Sequence, residues 1–398
     1  MSGSNIKILS LVEATDINAV AKSVLEFYQA AGEVRQKDSG FPAIEGSVVT
    51  FARRSAAAGS NAFVSAARAG GLDVELIPER RRFDLSVLPA LRKAVEAHNP
   101  DLVVTHSVKS HFVLWRSHVW QKYPWTAFHH GYTTTDRKMR VYNRVDRWSL
   151  PVADRLITVC HAFARELARN TGVSLEKIFV QHNSIRPQSE NATGATIRSK
   201  FGIRDEELVV LSVGRLSKEK AHVDLLSAFK QLRETNSELN CRLIFVGDGP
   251  ERGRLEAAAE SPGLKDRVVF AGQVSDVNSF YAAAGVFVLP SHSEGSPHVL
   301  LEAMAARVPV VATKVGGVPE IVEDDVSALL VPAANPTALA SAIARVLTDK
   351  EMAQRLTANA ATLVTTLYTP ENYVRSLFKI YREVIEARNV STELPSAR

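Results

Sequence analysis

Two carboxylates flank a predicted helix start in the second half of the chain. Glu294 lies in a turn and Glu302 lies eight residues later, in an otherwise apolar stretch. Ser296 and Pro297 suit the N-cap and first position of a helix that runs to about Ala306, and the free N–H groups of such a helix start attract phosphate. A ribose diol would give Glu302 two hydrogen-bond donors. The alternatives are a Glu302 satisfied by backbone or a cation, and a Glu294 that is an ordinary solvated turn carboxylate.

A basic loop follows a predicted strand at 208–213. Gly214, Arg215 and Lys220 lie in this loop, directly before a predicted helix. A forked guanidinium and a compact ammonium at the end of a strand could neutralise a diphosphate. The alternative is a solvated basic loop that binds nothing.

The elements that must position these residues alternate between short apolar runs and helix-period segments. The predicted strands are 7–12, 47–51, 73–77, 101–106, 125–129 and 155–159, then 208–213, 242–246, 267–271, 286–290, 309–313 and 328–332. This alternation predicts an α/β protein with two doubly wound, Rossmann-like domains in tandem and an interdomain cleft. The expected domains are 1–186 and 197–369, joined by a linker at 187–196 and followed by an amphipathic terminal helix within 370–398.

The order of these motifs resembles that of the group 1 (family 4) glycosyltransferases, which have the GT-B fold. The motifs that carry the resemblance are 214–220, 246–250, 286–290, the Glu294 and Glu302 pair, 316–322 and, in the first half, 129–131, 159–161 and 182–185. The resemblance implies that 1–186 binds the acceptor, that 197–369 binds a nucleotide-sugar donor, and that the terminal helix returns to the first domain.

The resemblance also implies transfer of a sugar from a nucleotide-diphosphate donor with retention of anomeric configuration. Arg215 and Lys220 would hold the diphosphate, Glu294 would contact the sugar, and His130 would reach the sugar or its phosphate. Glu302 would take the ribose hydroxyls, and no covalent intermediate is assigned. The implied donor-binding set is Gly214, Gln273, Val274, Gly295, Ser296, His298, Val299 and Glu302, with backbone at 296–299 on the phosphate and at 273–274 on the base.

Three positions depart from the family's usual pattern, one of them being Asn183-Ser184 in place of a strand-end Asn-Gly turn. The loop at 12–18 lacks the Gly-Gly turn that usually follows the first strand, and Ala221 stands where a glycine commonly follows the loop lysine. A strict Asp-x-Asp is absent, and the nearest pair, Asp324 and Asp325, lies in a turn. We therefore expect no metal and no cofactor besides the donor, a UDP- or GDP-sugar.

The composition is that of an ordinary globular protein with two cores. The chain has 398 residues, of which 45% are hydrophobic and 23% charged, which excludes disordered, collagen-like and disulfide-scaffold classes. Cys160 and Cys241 form no C-x-x-C and predict neither a zinc site nor a disulfide framework. The sequence shows no secretory leader and no apolar run long enough for a membrane span, so we expect a cytoplasmic protein.

The positive charge lies in the first half. The net charge is +5, and residues 1–186 hold 25 Lys and Arg against 17 Asp and Glu. This predicts a glycan or anionic lipid-linked acceptor and peripheral binding to the inner face of the plasma membrane, in polysaccharide or glycoconjugate biosynthesis. The basic clusters are 80–82 and the run Arg137, Lys138, Arg140, Arg144 and Arg147, for which a solvated helical face is the alternative.

Particular residues argue against other functions. Residues 247–253 superficially match a dinucleotide fingerprint, but Pro250 removes an N–H and Glu251 adds negative charge where pyrophosphate would bind, so a tight structural turn is favoured. The chain has no RNP-like or helix-turn-helix pattern, and we expect no nucleic acid partner. A sugar-nucleotide epimerase of the same fold and a non-catalytic basic binding protein remain the alternatives.

Overall fold

The chain forms two compact units. A computed structural model describes residues 5–53, 61–81, 84–131, 144–186 and 193–393. Contacts divide the chain into Met1–Asn183 with Pro370–Arg398, and Ser184–Thr369. In the described ranges, no helix is both long and apolar enough to cross a membrane.

The first unit is built on a seven-stranded, all-parallel sheet in the order β3-β2-β1-β4-β5-β6-β7. Its strands are β1 (Ile6–Leu11), β2 (Ile44–Arg53), β3 (Asp73–Glu79), β4 (Leu102–Thr105), β5 (Trp125–His129), β6 (Arg155–Thr158) and β7 (Ile178–Val180). Its helices are α1 (Ala19–Lys37), α2 (Ala62–Ala69), α3 (Leu88–His98), α4 (Val108–Ser117) and α5 (His161–Thr171). Strands β4 and β5 are buried along their whole length, as expected where helices cover both faces of a parallel sheet.

The second unit has a six-stranded, all-parallel sheet in the order β10-β9-β8-β11-β12-β13. Its strands are β8 (Leu208–Val213), β9 (Cys241–Val246), β10 (Val268–Gly272), β11 (Val286–Leu289), β12 (Val310–Thr313) and β13 (Leu329–Val331). Its helices are α6 (Ala195–Lys200), α7 (His222–Thr235), α8 (Arg252–Ala259), α9 (Asn278–Ala283), α10 (His298–Ala305), α11 (Val318–Ile321), α12 (Pro336–Thr348) and α13 (Lys350–Thr366).

The expectation of two doubly wound, Rossmann-like α/β sheets is confirmed, and one strand was missed. Each of the twelve expected strands overlaps an observed strand, whereas β7 was not expected. This edge strand has only three residues, too few to show a period of two. Residues 187–192 of the expected linker lie outside the described part of the chain, and its last two residues begin α6.

The last helix, α14 (Pro370–Glu393), belongs to the first unit by contacts. Its apolar side chains join the core beneath α1, where the rings of Phe27 and Tyr381 lie 5.4 Å apart and those of Phe41 and Phe378 lie 5.0 Å apart. Arg375 adds an ion pair to Asp38 at 3.0 Å. Burial of an apolar helical stripe therefore attaches the chain's last helix to its first.

The strand order decides where ligands can bind. In both sheets the strand order reverses direction beside the first strand of the unit. The reversal lies between β1 and β4 in the first unit and between β8 and β11 in the second. Loops diverge at such a point and leave a crevice outside the carboxyl ends of the strands. The acidic loop with Glu294 follows β11, and the basic loop with Lys220 follows β8, so both lie at the switch point of the second unit.

Candidate functional site

The loops after β8 and β11 are joined by three residues outside the expected set. The Glu219 carbonyl, within the single 3₁₀ turn Lys218–Lys220, accepts a hydrogen bond from the His292 backbone N–H at 2.8 Å. The His292 Nε2 atom lies 2.7 Å from an Asp224 carboxylate oxygen on α7. These contacts fix the β11 loop against the start of α7.

Lys220 and Glu294 meet at this point. The Lys220 ammonium donates to Glu294 Oε1 at 2.7 Å, and the Ser291 hydroxyl donates to the same oxygen at 2.6 Å. Glu294 is only 6% exposed, so the alternative of a solvated turn carboxylate is wrong. Its other oxygen, Oε2, has no hydrogen-bond partner among the described residues. The site thus pairs a buried carboxylate with an ammonium that is 25% exposed.

The loop between β12 and α11 holds the Glu294 backbone. The Glu294 carbonyl accepts from the Gly317 N–H at 3.1 Å, and a Cβ at Gly316 would lie 1.8 Å from that carbonyl oxygen. Gly316 also has φ +52°. Only glycine allows this approach, so the Gly-Gly pair of the 316–322 motif acts by locating Glu294.

Helix α10 begins one residue later than expected. Pro297 has ψ 117°, an extended conformation, so it is the N-cap and His298 is the first helical residue. Ser296 is buried but is not the N-cap, which corrects the expected Ser-Pro helix start. Proline favours an extended conformation in the residue before it. Pro297 is itself extended as well, so the helix starts only after it. The first N–H groups of α10, from His298 and Val299, follow the loop at the carboxyl end of β11.

Glu302 is half-buried on α10 and is held by a tyrosine that the sequence reasoning missed. The Tyr281 hydroxyl lies 3.1 Å from Glu302 Oε2 and 3.2 Å from the Val299 carbonyl. Burial, together with the charge of Glu302, raises the pKa of Tyr281 well above its ordinary value, so Tyr281 stays a neutral donor. Tyr281 is the fourth residue of the short helix α9, and no pattern in the sequence indicates its contact with Glu302.

Arg215 is exposed at the same end of the sheet. Its guanidinium makes no hydrogen bond or ion pair with the residues that the structure describes. Gly214, with φ +153°, precedes it, and a Cβ at Gly247 would lie 2.0 Å from the Gly214 carbonyl oxygen. A Cβ at Gly249 would likewise lie 2.4 Å from the Leu216 carbonyl oxygen. The 247–253 segment is therefore a tight structural turn packed against the β8 loop, as predicted.

The remaining implied donor contacts are spread along the same sheet edge. Gln273 is exposed and Val274 half-buried directly after β10, which β9 separates from β8. Gly295 lies between Glu294 and Ser296 in the β11 loop. The structure thus brings Lys220 with Glu294 and Tyr281 with Glu302 into direct contact, and places the others at the carboxyl ends of neighbouring strands.

Ala221 ends the 3₁₀ turn in the left-handed region that favours glycine, with φ +51°. The next residue, His222, is buried, and this burial together with the charge of Lys220 lowers its pKa to about 4. Ala221 therefore adopts the backbone conformation that glycine favours, at a cost in strain of about 1 kcal/mol.

His130 lies in the first unit, directly after β5. Its ring stacks on Phe128 with centroids 4.4 Å apart and an interplanar angle of 11°, and the His106 ring lies 5.9 Å away. The basic residues Arg137, Lys138 and Arg140 lie outside the described residues, as does Arg82.

Comparisons with known proteins agree with this architecture. The family described as glycosyl transferases group 1 matches residues 194–363, and that described as glycosyltransferase family 4 matches residues 45–189. An alpha-D-kanosaminyltransferase of Streptomyces kanamyceticus is 32% identical over 55% of this chain and 58% of the relative. A D-inositol 3-phosphate glycosyltransferase of Acidothermus cellulolyticus is 34% identical over 62% of this chain and 57% of the relative. Each match therefore spans less than two thirds of the curated relative.

The fold is shared with solved structures at lower identity. Anabaena HepE, in a crystal structure with UDP-glucose, superposes with a TM-score of 0.79 at 21% identity, over 95% of this chain and all of that one. The two family matches divide the chain as its two sheets do, and the motifs at the β8 and β11 switch point lie within the first of them. This chain belongs to the group 1 glycosyltransferases and has their GT-B fold.

Proposed function

We propose that this chain transfers a sugar from a nucleotide-diphosphate donor to a glycan or lipid-linked acceptor, with retention of anomeric configuration, in polysaccharide or glycoconjugate biosynthesis. The observation that carries the proposal is the contact between Lys220 and Glu294 at the switch point of the second unit. The complex of HepE with UDP-glucose supports a UDP-sugar as donor, with a GDP-sugar as the alternative.

Charge assigns the roles of the basic residues. A diphosphate brings two or more negative charges, and the unpaired guanidinium of Arg215 can bind them without breaking an existing contact. Lys220 is paired to Glu294 in the described structure, so it can turn toward the leaving diphosphate as charge develops there. We propose that these two cations neutralise the diphosphate, and chelation of metal ions with EDTA should leave the rate unchanged.

Hydrogen-bond capacity assigns the acidic residues. Glu294 Oε2 is free to accept from a sugar hydroxyl, while Ser291 and Lys220 hold Oε1. Glu302, steadied by Tyr281, is suited to accept from the ribose hydroxyls. No carboxylate is required as a nucleophile, so departure of the diphosphate and attack by the acceptor take place on one face of the sugar.

The first test is donor binding and turnover. Isothermal titration with UDP-, GDP- and ADP-sugars identifies the donor, and NMR of the anomeric proton of the product reports retention. Lys220→Ala should slow transfer by about 10²- to 10³-fold, as does loss of one preorganised charge contact. Lys230→Ala is the matched control, because Lys230 lies on α7 and, among the residues that the structure describes, pairs with Glu234 alone in an exposed i, i+4 contact. Equal rates for the two variants would refute the assignment of Lys220.

The same assays separate the alternatives. Conversion of the donor without an acceptor, with release or epimerisation of the sugar, would indicate a sugar-nucleotide epimerase. Absence of binding to every nucleotide sugar would indicate a non-catalytic binding protein.

The acceptor is proposed from the charge of the first half. Residues 1–186 hold 25 Lys and Arg against 17 Asp and Glu, and Arg80 and Arg81 are exposed after β3. We propose an anionic lipid-linked acceptor on a membrane surface. Sedimentation with vesicles containing phosphatidylglycerol should show binding that falls steeply with salt, whereas binding to neutral vesicles of equal strength would contradict the proposal.

A further inference from the structure

The carboxyl ends of β4 and β5 in the first unit carry a buried histidine cluster around one aspartate. The cluster consists of His106, His111, His129 and Asp146. Asp146 is fully buried at 0% exposure, so its carboxylate must be compensated by protons on its neighbours.

Asp146 contacts two of these histidines, one with each oxygen. Oδ1 lies 2.6 Å from His111 Nδ1, and Oδ2 lies 3.3 Å from His129 Nε2. Burial opposes a charge on Asp146, but the His111 and His129 rings outweigh it and hold the Asp146 pKa well below its ordinary value. The aspartate is therefore a carboxylate that only accepts.

Both ring nitrogens of His111 face oxygen atoms. Its Nδ1 faces the Asp146 carboxylate, and its Nε2 lies 3.4 Å from the Thr105 carbonyl oxygen. Burial first, and the charge of His111 second, lower the pKa of His106 to about 3, so His106 is neutral.

The tautomer of His129 follows from a different contact. The Gly131 backbone N–H donates to His129 Nδ1 at 3.2 Å, so this nitrogen presents a lone pair and the ring proton is on Nε2. That nitrogen is the one that faces Asp146. A carboxylate beside Nε2 stabilises the Nε2–H tautomer, and with it the hydrogen bond that closes the turn from His129 to Gly131.

His130 is the middle residue of this turn. Its ring lies against Phe128 at 4.4 Å, and Gly131 has φ +101° with no room for a Cβ, which would lie 2.3 Å from the Phe163 ring. The turn that carries His130 is therefore held by the Phe128 stack, by Phe163 against Gly131 and by the His129 to Gly131 hydrogen bond.

We propose that Asp146 is a positioning residue, which fixes the tautomer of His129 and thereby holds the turn that presents His130. This inference rests on the proposed function for the role of His130, but the tautomer itself does not. Asp146 acts through His129, which contacts Asp146 with Nε2 and accepts the Gly131 N–H with Nδ1. This role requires no contact of Asp146 with donor or acceptor.

The first experiment needs no variant. Two-dimensional NMR of the full chain labelled with ¹⁵N-histidine, without substrate, should show His129 with a proton on Nε2 alone. His129→Asn assigns these signals. A proton on Nδ1 of His129 in the wild-type protein would overturn the proposal.

The second experiment uses Asp146→Asn, which keeps the shape and removes the charge. We expect the His129 signals to shift toward a mixture of tautomers, kcat to fall by about 10- to 100-fold, and the donor KM to change by less than about threefold, as for a misplaced reacting group. In a His130→Ala background the same substitution should lower kcat no further. Asp154→Asn is the control, because Asp154 accepts from the Trp125 N–H and pairs with Arg388 but contacts none of the cluster histidines.

The outcomes are separable. Unchanged kcat in a folded Asp146→Asn protein, or an additional loss in the His130→Ala background, would overturn the positioning role. If the wild-type protein transfers no sugar from any nucleotide donor, the proposed function fails, while the tautomer spectra of wild type and variant still decide whether Asp146 holds the turn.

Discussion

Gly316→Ala tests whether the Gly-Gly loop after β12 locates Glu294. A Cβ at this position would lie 1.8 Å from the Glu294 carbonyl oxygen, whereas real Cβ contacts essentially never fall below 3.0 Å, so the two groups must separate by about 1.2 Å. The change also places alanine at φ +52°. Two consequences follow: strain in the left-handed region of about 1 kcal/mol, and loss of the Gly317 to Glu294 hydrogen bond, worth about 1 kcal/mol.

Gly202→Ala is the matched control, because Gly202 has φ +58° in the same unit and its Cβ would meet nothing within 4 Å. Gly202→Ala should therefore destabilise by about 1 kcal/mol and Gly316→Ala by about 2 to 3 kcal/mol. All four tryptophans lie between residues 115 and 148, in the first unit, so tryptophan fluorescence in urea reports unfolding of the first unit and serves as the control. Unfolding of the second unit is followed by far-ultraviolet circular dichroism.

The functional consequence is larger than the stability change. A displacement of about 1 Å in a reacting group lowers turnover by up to about 10²-fold, so Gly316→Ala should lose most of its sugar transfer from the donor that titration identifies, while Gly202→Ala keeps wild-type turnover. Equal stability losses in the two variants, together with wild-type turnover in Gly316→Ala, would refute the reasoning.

Three further predictions concern buried histidines, the positive-φ alanine and the tyrosine beside Glu302. Burial lowers the pKa of His106 to about 3 and that of His222 to about 4, from 6.5, so the unfolded chain binds more protons than the folded chain below pH 6.5. Each histidine should therefore lower the free energy of unfolding of its unit by about 2 kcal/mol between pH 7 and pH 5, as measured by urea titration. A flat pH profile in the wild-type protein, or an unchanged profile in His222→Gln, would contradict this. Ala221→Gly should raise the stability of the second unit by up to about 1 kcal/mol by relieving positive-φ strain, and a lower melting temperature would show that the strain is absent. Tyr281→Phe should cost about 1 kcal/mol of stability and weaken binding of the donor that titration identifies by about 3- to 10-fold through a less ordered Glu302, whereas an unchanged Kd by calorimetry would remove Tyr281 from the site.

Much of the fold follows from local pattern. Short apolar runs separated by helical segments predict parallel strands because both faces of such a sheet are covered, and twelve strands were placed in this way. The three-residue β7 was missed, since its pairing with β6 rather than its own pattern makes it a strand. The helix start expected at Ser296 and Pro297 was wrong by one residue, because Pro297 has the extended ψ of 117° and is itself the N-cap.

The candidate site divides in the same way. The sequence by itself determined which residue types line the switch point of the second unit, because glycine, acidic and basic residues after apolar strands stand out against their surroundings. The pairing of Lys220 with Glu294 across 74 positions, the tyrosine on Glu302 and the aspartate between two histidines were decided only by the tertiary structure. Such contacts depend on distances between strands that are neighbours in the sheet but far apart in the chain, and burial then fixes which proton each group carries.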